Sequence, residues 1–129
     1  MPLMRFDIFE GRSQDEVKKL LDAAHRAMVA AFGVPERDRY QIVHQHPLTE
    51  MIVEDTGLNI PRSRNVVVVS VNSRPRTTEA KQKFYTELCR ELKESCDIDS
   101  SDVMVNIMTN TDADWSFGFG RAQFLTGEL

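Results

Sequence analysis

Pro2 directly follows the initiator methionine, and this position makes it a candidate for chemistry at the start of the chain. A small second residue such as proline permits removal of Met1, which we expect to leave a free secondary amine. Such an amine can exchange a proton or form an iminium with a carbonyl, and its pKa responds strongly to nearby charges. Pro2 is therefore a candidate catalytic residue if Met1 is removed, and the alternative is a Met-Pro start that occurs by chance.

Arg74 and Arg76 flank a proline that keeps their segment extended. Alternate residues of an extended segment point to the same side, so the two guanidinium groups would lie close together. They repel one another unless an anion lies between them, and a carboxylate suits their fork geometry. The pair is therefore a candidate carboxylate site, with solvated surface arginines as the alternative. Asp38 has a similar alternative, as a turn residue at the start of a strand.

Three histidines are weaker candidates for chemistry. His44 and His46 would lie on one face of a strand, but zinc takes three or four ligands and no third ligand is spaced to join them. His25 borders the apolar stripe of a helix, where a packed structural histidine is expected. The chain has neither a glycine-rich phosphate loop nor a Ser or Cys nucleophile motif. The sequence therefore predicts no metal site.

The composition is that of an ordinary globular protein, with 129 residues, 41% hydrophobic residues and a net charge of -4. This balance lacks the basic footprint that nucleic acids or anionic membranes require. The longest apolar run, Val66 to Val69, is far shorter than the ~20 residues that span a bilayer. Cys89 and Cys96 are seven residues apart on one predicted helix, too far to pair, so free thiols are expected. We expect a soluble cytoplasmic protein without nucleic-acid or membrane partners.

The elements that must position these residues begin with a strand at Leu3 to Phe9. Ser13 and Glu16 form a capping box, which predicts the start of an amphipathic helix that ends at Gly33. A second strand is predicted at about Arg39 to His46. Residues 47–64 form a long connection, within which residues 51–53 could form a short strand.

The same succession of elements then recurs. Asn65 to Ser73, with five valines, is the strongest strand signal in the chain. Thr77 or Thr78 can cap the next helix, and Asp102 to Thr109 predicts a further strand. The apolar stripe of this second helix consists of Ala80, Phe84, Leu88, Leu92 and Cys96. The aromatic and glycine-rich segment that follows predicts either a hairpin, capping the core or forming an interface, or the apolar wall of a pocket.

The two successions are related by an offset of 64 residues, which aligns Arg12 with Arg76 and Ser13 with Thr77. The sequence therefore predicts one α+β domain, 1–129, made of β-α-β pseudo-repeats at about 2–65 and 66–129. Each repeat would pair its strands in parallel, giving a ferredoxin-like β-α-β-β-α-β order and a four-stranded sheet with two helices on one face. A strand with a run of four valines favours burial of both sheet faces, so we expect a second subunit on the open face.

Four blocks in order carry a resemblance that extends over essentially the whole chain. They are Pro2-Leu3, residues 32–41, Ser73 to Arg76, and the tail from Asp114 through Gly118 to residues 127–129. In these blocks the chain resembles the tautomerase superfamily, and within it the malonate semialdehyde decarboxylase family. Proteins of this superfamily are small duplicated β-α-β chains that use an amino-terminal proline and assemble as trimers. The resemblance thus implies a tautomerase-type fold and a homotrimer.

The resemblance also implies an activity, the cofactor-independent decarboxylation of a small 3-oxo acid, converting malonate semialdehyde to acetaldehyde and CO2. Pro2 would polarise the substrate aldehyde as a cationic amine or form an iminium with it. Arg74 and Arg76 would bind the carboxylate, and Asp38 would position Pro2 or a water molecule. The implied apolar wall consists of Trp115, Phe117, Phe124 and Leu129.

Two other functions remain open at the level of sequence. The same Pro2 and arginines would serve a promiscuous tautomerase or hydratase of 2-oxo acids. Retention of Met1 would instead leave Pro2 as an amide, and the chain would then be a non-enzymatic oligomeric binding module.

Overall fold

A computed structural model describes all residues, 1–129, and orders six main elements along the chain. They are β1 (Leu3–Phe9), α1 (Gln14–Phe32), β2 (Tyr40–His46), β3 (Val67–Ser73), α2 (Thr78–Cys96) and β4 (Val103–Thr109). Short 3-10 turns occur at Leu48–Glu50, Ser100–Asp102 and Asp112–Asp114, and a four-residue helix, α3, spans Gln123–Thr126. None of the helices combines the length and the apolar character needed to cross a bilayer.

The four strands form one mixed sheet in the order β2-β1-β3-β4. β1 pairs with β2 in parallel, β3 pairs with β4 in parallel, and the two central strands run antiparallel. This arrangement confirms the predicted α+β fold with a four-stranded sheet built from parallel pairs. The antiparallel centre also sets Leu3 beside Asn72, so the start of β1 lies at the end of β3.

The helix boundaries follow from local capping, as predicted. The Ser13 hydroxyl accepts from the Glu16 amide while the Glu16 carboxylate accepts from the Ser13 amide, and α1 ends at Gly33 in a left-handed conformation with φ 64°. Thr77 rather than Thr78 caps α2. β1 and α1 begin at residues 3 and 14, and β3 and α2 begin 64 residues later, at 67 and 78. The first strand and the long helix of each half thus begin 64 residues apart, whereas β4 begins 63 residues after β2.

The core lies between the sheet and the two long helices, which pack on the same face. β1 and β3 contribute alternate residues to it, and the helices contribute their predicted apolar stripes. The largest fully buried members include Met4, Phe6, Ile8, Leu20, Met28, Val67, Val69, Val71, Phe84, Leu88 and Leu92. One helical layer therefore covers one face of the sheet, as predicted.

The opposite face of the sheet is only partly covered. Within the valine run, Val67 and Val69 enter the core while Val68 lies half-buried on the open face. The segment around residues 51–56 approaches this face and lines a cavity of about 550 Å³ together with Val68 and Met104. Residues 51–53 do not form the short strand considered from the sequence, because they pair with no other strand.

The strand starts differ slightly from the predictions, whereas the state of the thiols agrees with them. β2 and β4 begin one residue later than predicted, and β3 begins two residues later because residues 64 and 65 form a turn. Cys89 and Cys96 are both free and half-buried, as expected, and burial raises the pKa of each thiol.

Candidate active site

The sheet topology brings the four predicted catalytic residues to one end of the sheet. Pro2 immediately precedes β1, and Arg74 and Arg76 follow the antiparallel neighbour β3. Asp38 precedes β2, the parallel neighbour of β1 on its other side. The tail that follows β4 starts at this same end, because Ser73 pairs with Thr109. We call this the site end of the sheet.

The start of the chain is enclosed by charged groups at the site end. Pro2 is buried, and the α-amino nitrogen of Met1 lies 3.7 Å from Asp38 Oδ2. Burial lowers the pKa of this amine most, and the positive charges of Arg76 and Arg74 lower it further, whereas the Asp38 carboxylate opposes the shift. An amine at this end of the chain is therefore held between one carboxylate and two guanidinium groups.

Asp38 is a buried carboxylate at the site end that receives no hydrogen bond. Its side chain is 4% exposed, and neither of its oxygens has a hydrogen-bond partner in the chain. Burial raises its pKa, and the terminal ammonium, Arg76 and Arg74 oppose that shift. Its own backbone amide donates to the Pro35 carbonyl at 3.0 Å, so Asp38 ends a turn. Asp38 is therefore a turn residue, as the alternative interpretation expected, and its carboxylate also lies beside the start of the chain.

Arg76 is fixed by the backbone around it. Its Nε donates to Ser73 Oγ at 3.2 Å, and its Nη1 donates to the Phe32 carbonyl at 3.1 Å. The guanidinium carbon also lies 4.8 Å from the centre of the Phe32 ring. Phe32 ends α1, where the helix dipole favours a cation. Burial, followed by the charge of Arg74, lowers the pKa of Arg76, while Asp38 raises it.

Arg74 is held by the tail of the chain. Its Nη1 donates to Asp112 Oδ1 at 3.0 Å, and its guanidinium carbon lies 3.9 Å from the centre of the Phe124 ring. Its Nε is buried without a hydrogen-bond partner. A buried donor without an acceptor is unfavourable, so Arg74 offers an unused N–H group to an anion.

The four residues predicted to form an apolar wall lie at the site end, but they do not all line one cavity. Phe117 and Leu129 line a cavity of about 250 Å³ together with Met1 and Asp38. Trp115 stacks on Phe117 at 5.6 Å and lines an adjacent cavity of about 430 Å³. Phe124 meets the edge of Phe117 at 5.5 Å and covers Arg74 instead. The tail thus supports the site from several directions rather than forming a single wall.

The conformation of the tail is stabilised by hydrogen bonds of the Gln123 side chain and by a single β-bridge. Gln123, which is buried, accepts from the Phe117 amide at 2.9 Å and donates to the Gly118 carbonyl at 2.9 Å. The expected hairpin is reduced to a single bridge between Gly118 and Arg121. Gly118 has φ 144°, a conformation that favours glycine.

Three further residues contribute to the site end, although their sequence context predicted no role for them. Tyr40 lies 5.7 Å from Phe117 and lines both cavities, Arg37 lines the smaller one, and Asp112 binds Arg74. Arg37 and Tyr40 could have been selected from the sequence, because they lie near Asp38 within residues 32–41, one of the segments on which the family resemblance depends. Asp112 gave no comparable signal, because only the fold brings it to Arg74.

The histidines lie outside the cavity of Asp38. His25 is buried, and its Nε2 lies 2.8 Å from the Glu36 carbonyl oxygen, so it supports the loop before Asp38 as a structural residue. The rings of His44 and His46 stack 6.5 Å apart at the other end of β2, where His46 Nε2 lies 2.7 Å from Asp7 Oδ1. No group of three or more His, Cys, Asp or Glu side chains is arranged to hold a metal ion.

Comparison of the sequence with protein families adds a second kind of finding. The chain matches one family model described as tautomerase enzyme over residues 38–118 and another over residues 2–60. It belongs to the tautomerase family. Among its relatives in this family, the probable tautomerase YrdN of Bacillus subtilis (strain 168) is 58% identical over 129 residues, which cover 100% of both chains.

Solved structures resemble this tautomerase-family chain throughout its length. Malonate semialdehyde decarboxylase, described with decarboxylase and hydratase activities, is 56% identical over 98% of both chains with a TM-score of 0.97. The FG41 malonate semialdehyde decarboxylase, inhibited by 3-bromopropiolate, is 40% identical over 98% of this chain and 97% of that one, with a TM-score of 0.94. A fused 4-OT solved as a symmetric trimer shares the fold at 23% identity and a TM-score of 0.78, over 97% and 98% of the two chains.

Proposed function

We propose that this tautomerase-family chain decarboxylates a small 3-oxo acid, malonate semialdehyde or a near analogue, to an aldehyde and CO2. The observation that carries the proposal is the meeting of the amino-terminal segment, a buried carboxylate and two arginines at the site end of the sheet. The 56% identity to malonate semialdehyde decarboxylase over 98% of the chain supports the same reaction class.

Pro2 supplies the reactive amine once Met1 is removed. At the Met1 amine, burial and the charges of Arg76 and Arg74 lower the pKa, whereas the Asp38 carboxylate raises it. We expect the Pro2 amine to meet the same charges, so that both the neutral amine and the ammonium have a role. The ammonium polarises the substrate aldehyde by donating a hydrogen bond. In the covalent variant, the neutral amine attacks the aldehyde carbon. The carbonyl oxygen gains one proton from the amine and a second from solvent and leaves as water, giving an iminium. When CO2 departs, its bonding electron pair moves onto the carbonyl oxygen as an enolate that the ammonium stabilises, or onto the iminium nitrogen as an enamine. Neither route requires a metal or organic cofactor.

Arg74 and Arg76 hold the substrate carboxylate while the bond to it breaks. Arg76 retains a free Nη2 beside the groups that fix it, and Arg74 retains its buried Nε. A fixed guanidinium orients the carboxylate at little additional entropic cost. The aromatic groups around Phe117 keep water away, which strengthens these electrostatic contacts. CO2 is neutral, and the arginines bind it less well than the carboxylate, so it leaves.

Asp38 completes the reaction by handling a proton. Its oxygens have no other hydrogen-bond partner, so they are available to the Pro2 amine or to a water molecule. After CO2 is lost, the carbon that carried it must gain a proton, and the iminium variant also needs water to release the aldehyde. Asp38 is the carboxylate that lies nearest to the start of the chain, and we propose it as the residue that positions that amine or water.

Asp38→Asn is expected to make the protein more stable and less active. Because burial raises the pKa of Asp38, its charged form is disfavoured in the folded protein, and the resulting loss of stability appears as pH rises through the folded-state pKa. The Met1-bearing variant should therefore melt at a higher temperature than wild type at pH 7. The difference in melting temperature between variant and wild type should vanish below pH 3.8, the ordinary pKa of an aspartate side chain. Turnover of the Met1-free variant should fall by about 100-fold.

Asp22→Asn is the matched control for this prediction. Arg39 and Lys18 hold the pKa of Asp22 below its ordinary value, so its charge stabilises the fold. Removing that charge should lower the melting temperature slightly at pH 7 and leave turnover unchanged. A melting temperature for Asp38→Asn that is lower than wild type at pH 7 would contradict the unfavourable burial of Asp38.

The decisive test of the function is a substrate comparison with Met1-free protein. Malonate semialdehyde is supplied, and acetaldehyde and CO2 are followed, while the enol of phenylpyruvate is supplied separately to follow tautomerisation. We expect decarboxylation to have the higher kcat/KM. Efficient tautomerisation without decarboxylation would instead establish a tautomerase of 2-oxo acids, which the relative named as a probable tautomerase favours. Absence of both activities would leave the non-enzymatic binding module.

We propose in addition that the chain forms a homotrimer through the open face of its sheet. Tyr40, Ile42, Met104 and Met108 are 40%, 38%, 44% and 64% exposed there, an apolar surface that a second copy would bury. The fused 4-OT that shares this fold assembles as a trimer. Sedimentation should give three times the chain mass of 14.8 kDa, and a species of one chain mass would contradict the proposal.

A further inference from the structure

Arg37 lines the cavity of Asp38 but has no part in the proposed reaction. Nine of the eleven arginines make a side-chain hydrogen bond or ion pair within the chain. Arg37 and Arg64 make none, and both are exposed. Arg64 lies in the connection before β3, at the far end of the sheet. Arg37 is therefore the arginine of the site end whose donors are all unused.

Among the charged side chains of the site end, Arg37 and Arg76 are the two arginines without a carboxylate partner. Arg74 pairs with Asp112, and the amine at the start of the chain lies beside Asp38. Arg76 is free to accept a substrate carboxylate. Once that carboxylate is bound, Arg37 remains as a positive charge with no counter-charge. The chain as a whole is acidic, with a net charge of -4, so the excess of positive charge here is specific to the site end and does not reflect the overall composition.

The cavity is also larger than a three-carbon substrate requires. Its volume of about 250 Å³ corresponds to roughly eight water volumes of about 30 Å³ each. Tyr40, Phe117 and Leu129 line it together with Arg37, so an apolar surface continues toward the free guanidinium. A substrate that reaches Arg37 would therefore place a short carbon chain in contact with Tyr40, Phe117 and Leu129.

We propose that the preferred substrate is an oxo acid with a second carboxylate, which Arg37 binds while Arg74 and Arg76 hold the first. The assignment of the reacting end rests on the proposed function, but the preference for two anionic groups rests on the charges and shape of the cavity. Arg37 is thus a specificity-determining residue. Because it is exposed to water, its contribution should be about two- to fivefold in affinity, the range of a partly screened ion pair.

Calorimetric binding to Met1-free protein tests this preference without turnover. Glutarate has a carboxylate at each end, and pentanoate has the same carbon chain with only one. Wild type should bind glutarate about two- to fivefold more tightly than pentanoate, and Arg37→Gln should bind the two equally. Arg64→Gln, which removes the other unpartnered arginine, should keep the wild-type preference. Arg76→Gln should weaken both ligands.

Three results would overturn the proposal. They are equal affinities in wild type, an unchanged glutarate preference in Arg37→Gln, and the absence of measurable binding by either ligand. A failure of the proposed function has a different signature, because the protein would then turn over no 3-oxo acid while its dicarboxylate preference still responded to Arg37. The two conclusions are therefore tested separately.

Discussion

Protein that keeps a residue ahead of Pro2 is expected to decarboxylate malonate semialdehyde at least about 100-fold more slowly than protein that begins at Pro2. An amide nitrogen at Pro2 has neither a proton to donate to the aldehyde nor a lone pair for attack. In the Met1-bearing chain the α-amino group instead belongs to Met1, 3.7 Å from Asp38 Oδ2 and displaced by one residue from Pro2. Such a displacement moves the amine away from the carbonyl that it must meet.

A cleavable amino-terminal extension allows this comparison within one preparation. Turnover is measured before and after cleavage that exposes Pro2, and intact mass spectrometry establishes which amino terminus is present. Pro2→Ala, which keeps an amine but replaces the secondary amine by a primary one, should retain intermediate activity. Equal turnover before and after cleavage would contradict a role for Pro2 in the mechanism. Catalysis would then proceed without a free amine at Pro2.

Arg76→Gln should lower kcat/KM for malonate semialdehyde by about 100- to 1000-fold. A hydrogen bond to a charged group contributes about 1.5–3 kcal/mol, and removing one partner of a buried ion pair costs about 3–5 kcal/mol. Arg76 is partly buried and already placed by the Phe32 carbonyl and Ser73, so a bound carboxylate would meet a fixed cation. Arg76→Lys should be intermediate, because it keeps the charge but loses the fork geometry.

The structural role of Arg76 must be separated from its role in binding. Because the substitution removes two donors from the Phe32 and Ser73 oxygens, thermal unfolding of the variant is measured alongside its kinetics. Added guanidinium should partly restore turnover to Arg76→Gln if the lost group acts on substrate. Arg90→Gln, on the exposed face of α2, removes an arginine paired with Glu87 and should leave turnover unchanged. A fully active Arg76→Gln variant would contradict the carboxylate role.

Much of the fold was accessible from local sequence signals. The capping box at Ser13 and the cap at Thr77 set the starts of the two long helices, and glycine at Gly33 sets an end. The apolar stripes matched the faces that pack on the sheet. These signals act between residues close along the chain, so their outcome depends little on tertiary structure. Residues 51–53 show the limit, because a short apolar run becomes a strand only where another strand can pair with it.

The candidate site was only partly accessible in the same way. Pro2 and the two arginines could be selected by residue type, spacing and resemblance. Their proximity depends on the antiparallel pairing of β1 with β3, a contact between residues about 70 positions apart that no local pattern fixes. Asp112 illustrates the consequence, since nothing near it in the sequence indicates a partner at Arg74.

The sequence by itself determined which groups are present and where the helices begin, because residue types and short-range capping decide these features. It also determined that two arginines flank Pro75 and that Pro2 becomes an amine when Met1 is removed. Tertiary structure alone decided that Asp38 is buried without a hydrogen-bond donor and that Arg37 faces the same cavity without a counter-charge. Burial and pairing raise or lower pKa values through neighbours distant in the chain, so the electrostatics of the site arise only when the sheet forms.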